Sequence, residues 1–122
     1  MKDSRERGAA VVEFAIIVPL LLMLILGLVE YGFRYQRAAV LNNASFIASR
    51  QLSIHKTPSE ARAAAVDAGM PNSATFDPGP GTDCTPGANV TVKITSVEDS
   101  PTGAFFSQTF TINAKGVARC DG

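Results

Sequence analysis

Gly8-Ala9-Ala10-Val11-Val12-Glu13-Phe14-Ala15-Ile16-Ile17-Val18-Pro19-Leu20-Leu21-Leu22-Met23-Leu24-Ile25-Leu26-Gly27-Leu28-Val29 is the stretch on which the reading of this chain turns. Roughly 20 apolar residues in a helix cross ~30 Å of hydrocarbon, and Ala9 to Val29 supplies that length. Glu13 is its one charged member. A carboxylate at the centre of a membrane costs about 2.5–3.5 kcal/mol, less toward an end, and ionisable residues placed there are usually functional.

Working outward, the leader carries Lys2, Arg5 and Arg7 against Asp3 and Glu6. A positive flank of this kind stays cytoplasmic, although Arg34 and Arg37 beyond the run weaken the asymmetry. The run is too long for the core of a secretory signal. Its C-terminal flank, Val29-Glu30-Tyr31-Gly32-Phe33-Arg34-Tyr35, is not a small-x-small cleavage site. The run therefore reads as a single-pass anchor of the cytoplasmic membrane, N-terminus inside and C-terminal part extracytoplasmic. Pro19 would break a soluble helix, but a kink is tolerated in a membrane where neighbours satisfy the freed carbonyl.

Tyr31 and Tyr35 are the aromatics expected at headgroup level, and Arg34 and Arg37 can snorkel there. From Gln36 to Ile54 there is neither proline nor glycine. Ala38, Leu41, Ala44 or Ser45, Ala48 and Leu52 recur at helical spacing, with Val40, Ile47 and Ile54 widening that face. The helix is therefore expected to leave the membrane unbroken, about 45 residues and roughly 65–70 Å long. Its apolar stripe would seat a C-terminal domain. This divides the chain into a leader (1–8), a transmembrane helix (9–30), its extracytoplasmic continuation (31–54) and a small globular domain (55–122).

Thr57-Pro58-Ser59-Glu60 is a capping box with proline at the first helical position. It opens a short alanine-rich helix that Gly69 closes. From Met70 the composition turns to Pro, Gly, Ser, Thr and Asn. Asn89 to Val97 alternates with period two, Val90, Val92, Ile94 and Val97 among Thr91, Lys93, Thr95 and Ser96, and reads as a half-buried strand. Asp99 to Gly103 turns, and Phe105 to Ile112 gives a second strand. Asn113-Ala114-Lys115-Gly116 turns or bulges before a last strand or continuation at Val117 to Cys120, and a short strand is open near Ala74 to Phe76. The fold class is α+β: a long N-terminal helix, a short second helix and a small antiparallel sheet packed on the upper helix.

With 122 residues and much of its 46% hydrophobic content in the first third, the chain buries only a modest core. Such domains need a staple. Cys84 and Cys120, both in the polar half, read most simply as one disulfide, with free thiols or metal ligands as the alternatives. His55 is the only histidine and no CxxC pair is present, which is little for a metal. Formal net charge is zero, and no basic stripe interleaved with aromatics points to nucleic acid. No nucleophile elbow, phosphate loop or metal cluster supports an enzyme, a cofactor or a small-molecule substrate. Asp77 and Asp83 flank a Gly/Pro loop that could hold Ca²⁺ with backbone carbonyls, but loop aspartates are usually turn formers.

A cut after Gly8 would make Ala9 the terminus and Glu13 the fifth residue, one turn on and on the same face. A terminal ammonium, of this chain or a neighbour, would then neutralise the carboxylate and address it to another subunit. On the residues alone this stands beside a plainer reading, Glu13 at the interface within reach of water and Arg7.

Gly8-Ala9-Ala10-Val11-Val12-Glu13-Phe14 resembles the class III signal of type IV pilins and pseudopilins. Arg7 to Leu22, with Pro19 inside the run and Gly27-Leu28-Val29-Glu30-Tyr31-Gly32 after it, resembles more closely the TadE-like family of tight-adherence (Flp) pilus systems. The resemblance covers roughly residues 5 to 50. It implies a type IV pilin-like architecture and cleavage by a prepilin peptidase between Gly8 and Ala9, with Glu13 as the assembly carboxylate. The implied partners are other pilins or pseudopilins and the pilus assembly platform. The implied function is that of a minor pilin in biogenesis, priming or adhesion. The alternative is an uncleaved membrane-anchored envelope protein acting as an accessory binding module. Ala9 stands where many type IV pilins have phenylalanine, and Phe14 where the major Flp pilin typically has tyrosine.

Overall fold

One helix, α1, runs from Lys2 to Ser53 without a break, seven residues longer at its start than the apolar run requires. A computed structural model describes residues 2–79, 84–103, 105 and 108–121. At 1.5 Å per residue α1 is roughly 78 Å long. Pro19 lies inside it, where its missing N–H leaves the Ala15 carbonyl without a helical partner. α1 stops in a Schellman motif: Lys56 N–H donates to Gln51 O and His55 N–H to Leu52 O, both 3.1 Å. His55 takes the left-handed conformation there (φ 66°) that glycine usually fills.

The lower and upper parts of α1 differ in what covers them. Val11 to Ile17 and Leu20 to Ile25 are exposed on every side. Above them Leu41, Ala44, Ala48 and Leu52 are sealed, together with Ser45, Ser49 and Ser53. Each of these serines donates its hydroxyl to the carbonyl three residues back, Asn42, Phe46 and Arg50 respectively. The face is thus both polar-satisfied and flat. Ile54 does not join it and is half-exposed, because the chain turns away at His55.

Helix α2, Pro58–Asp67, begins in the expected capping box. Glu60 N–H donates to Thr57 Oγ1 at 3.2 Å, and Thr57 N–H donates to Glu60 Oε2 at 2.9 Å. Ala61 and Ala65 face α1 and are fully buried. Gly69 closes α2 with φ 114° against Val40, whose Cγ1 a Cβ would approach to 2.7 Å.

Three strands complete the domain: β1 (Thr75–Asp77), β2 (Asn89–Asp99) and β3 (Thr109–Arg119), antiparallel in the order β1-β2-β3. The α+β arrangement is therefore the one read from the sequence. Three local expectations are corrected. Val97 lies outward, 65% exposed, because Val90, Val92, Ile94 and Ser96 share the inward parity and Ser96 takes the place expected of Val97. The second strand begins at Thr109 rather than Phe105, which lies in a bend. Asn113-Ala114-Lys115-Gly116 neither turns nor bulges: it pairs with Thr95, Ile94, Lys93 and Val92 in an unbroken ladder. Gly116 belongs in that strand because β3 crosses α1 there, and a Cβ would fall on the Ser45 carbonyl.

Strands β2 and β3 lie lengthwise along α1. Asp121 meets His55, Gly116 meets Ser45 and Phe110 meets Phe33. From Phe110 to Asp121 an extended chain covers roughly 37 Å, and from Phe33 to His55 the helix covers roughly 33 Å. The two paths match. β3 ascends with α1, β2 descends toward the apolar run, and their connection lies at that lower end. At the other end Cys84 and Cys120 are joined in a disulfide, Cα atoms 5.5 Å apart.

Candidate functional site

The exposed shaft of α1 carries Gly8, Ala9 and Glu13, all solvent-facing within the continuous helix. Among the described residues nothing lies within 4 Å of where a Gly8 Cβ would stand. Glycine at this position weakens the helix locally by about 1 kcal/mol relative to alanine. Glu13 stands one turn above Ala9 on the same face, among Val11, Val12, Phe14 and Ile16, each more than half exposed. Among the described residues, the contacts of the domain with α1 begin at Glu30, well above Glu13.

A second carboxylate, singled out on sequence only as part of Glu30-Tyr31-Gly32, is enclosed instead. Glu30 directly follows the apolar run and is only 6% exposed, covered by the globular domain. Its Oε2 accepts from Ser100 Oγ at 2.6 Å and Thr102 Oγ1 at 2.7 Å, and its Oε1 from Arg34 Nε at 2.8 Å. Thr102 N–H adds a longer contact at 3.4 Å. The two hydroxyls and the guanidinium thus satisfy both carboxylate oxygens of Glu30. The Arg34 guanidinium also lies over the Phe110 ring, 4.7 Å from its centroid, and Phe33 meets that ring edge-on at 6.0 Å. One turn up, Arg37 Nη2 reaches Glu98 Oε1 at 2.7 Å, and Ser96 Oγ donates to the same oxygen. This clasp joins α1 to the lower end of the β2–β3 hairpin.

The clasp separates residues grouped together on sequence as the membrane interface. Arg34 is turned inward to Glu30 and Phe110, whereas Tyr31 and Tyr35 remain about 70% exposed. Glu30 and Arg34 at i and i+4 carried a local signal. Ser100 and Thr102 carried none.

Asp77 Oδ1 accepts from Gly79 N–H at 2.9 Å, an Asx turn; Asp83 lies outside the described residues. Among the described residues no three His, Cys, Asp or Glu converge as a metal site would require. Clefts among those residues are shallow, such as one of about 350 Å³ lined by Phe46, Arg50, Ser53 and Val117 between α1 and β3.

An exposed apolar shaft with one carboxylate near its foot and a small domain clasped to its upper half is the arrangement to compare with known families. Residues 8–50 match the family of TadE-like proteins. The match runs from the residue before Ala9 to the last turns of α1, so the TadE-like segment holds both glutamates and none of the sheet. No curated protein and no solved structure matches the chain. α1 is long and apolar enough to cross a membrane.

Proposed function

We propose that this protein is a minor pilin or pseudopilin of a tight-adherence pilus, anchored by residues 9–30 with its domain outside the cytoplasmic membrane. The observation that carries the proposal is Glu13. In a TadE-like segment, it is the fifth residue after Gly8 and stands uncovered on an otherwise apolar shaft. A prepilin peptidase cuts between Gly8 and Ala9, and the new ammonium at Ala9 comes within a helical turn of the carboxylate. Glu13 then pairs with an ammonium, its own or a neighbour's, in low dielectric, where an unpaired charge is expensive. Subunits packed side by side in this way cover the exposed apolar shaft, which the domain leaves bare. The work is structural: insertion, pairing and delivery of the domain to the pilus or its base.

Mapping the mature N-terminus in cells that express the peptidase tests this. A chain beginning at Ala9 supports the reading. One still beginning at Met1 overturns it in favour of an uncleaved, membrane-anchored accessory protein.

A further inference from the structure

The described residues that follow β2, 100–103 and 105, lie at the lower end of the sheet, toward the apolar run. Contacts along α1 descend in step, from Asp121 at His55 through Gly116 at Ser45 to Phe110 at Phe33. They end with Ser100 and Thr102 on Glu30, the first residue past the apolar run. Phe105 lies three residues beyond Thr102, its N–H directed at the Thr102 carbonyl at 3.4 Å. It is 72% exposed, which matches Tyr31 on the adjoining turn of α1. On the Glu30 face, Leu26 and Gly27 are half-buried one turn inside the run, whereas Leu28 and Val29 beside them are exposed.

We infer that the β2–β3 tip is a second membrane contact, with Phe105 entering the outer headgroup layer beside the emerging helix, level with Tyr31. Aromatic side chains favour that layer, and burial there removes an apolar surface that the fold leaves in water. The occupant is lipid because the tip is held against the last turn of the segment read as crossing the bilayer. The charged groups near the tip are consistent with a neutral lipid surface. Glu98 is paired with Arg37, Glu30 with Arg34, and Asp99 is the exposed acid at the end of β2. The domain then rests on the bilayer instead of standing off it, which restricts the tilt of α1. This rests on the membrane reading of residues 9–30.

The chain has no tryptophan, so single substitutions report one place each. Full-length F105W, L22W and V117W are reconstituted in phosphatidylcholine vesicles carrying shallow or deep brominated acyl chains. F105W is expected to emit at shorter wavelength than V117W, at the far end of the sheet, and to lose about half its intensity to shallow bromines. L22W is quenched by deep ones. P101W, at the same tip, serves as second reporter should F105W not fold. Quenching of L22W without quenching of the tip overturns the inference and leaves the membrane reading standing. A blue shift at the tip without lipid quenching also overturns it, in favour of a protein partner. Absence of quenching at L22W overturns both.

Discussion

Two glutamates on one helix have opposite surroundings, and each implies a different experiment. Glu13 is uncovered, so its replacement removes nothing from the fold. Glu13→Ala is expected to insert and fold normally yet lose co-assembly, read as loss of co-purification with partner pilins; undiminished co-purification would refute the pairing role. Glu30 is enclosed by two hydroxyls and a guanidinium that donate to it. Glu30→Ala leaves those donors without their acceptor, which costs about 1–3 kcal/mol. Thermal unfolding in detergent should therefore show a lower Tm for Glu30→Ala than for Glu13→Ala; equal Tm values would show that the clasp does not hold the domain. Glu13 was legible because one charge in an apolar run stands out. Glu30 was not, because Ser100 and Thr102 are 70 and 72 positions away and hydroxyl residues there look like any turn.

At the scale of elements, the devices written locally were the ones the sequence revealed. The Thr57–Glu60 capping box needs only four consecutive residues, and the stripe from Ala38 to Leu52 needs only helical period. Strand β3 required knowledge from elsewhere. Gly116 signals a turn when read alone, yet its lack of a side chain lets β3 lie against the Ser45 backbone. The serines of α1 make that approach possible from the other side by folding their hydroxyls back onto their own helix. Gly116→Ala is accordingly expected to destabilise the domain by about 1–3 kcal/mol, the usual cost of overpacking. An exposed-site substitution such as Lys115→Ala should be near neutral. Denaturant unfolding of both measures the contrast, and similar midpoints would disprove the close approach. Val97 makes the same point about parity: alternation marks a strand, but only the sheet's register decides that Ser96 faces in.

Taken whole, the molecule is a shaft with a domain clasped to it below at Glu30 and stapled within itself above by the Cys84–Cys120 disulfide. Closing a loop of 36 positions restricts the unfolded chain by about 4 kcal/mol on the chain-entropy model. The double variant C84S/C120S, or reduction under mild conditions, should lower the unfolding free energy by that order while leaving membrane insertion intact. A stability unchanged on reduction would mean that the small core suffices without it. The general plan was visible in composition: apolar residues concentrated early, turn formers late, two thiols in the polar half. The lengthwise seating of the hairpin was not, because it depends on matching a strand path to a helix path of equal length, and no single segment carries that.

That seating has a mechanical consequence. A pull along α1 against a grip on the sheet runs parallel to β2 and β3. Their ladder from Asn89↔Arg119 to Asp99↔Thr109 is then loaded in shear, so the rungs share the force and do not peel open in sequence. The geometry suits a part that is tugged along its own axis.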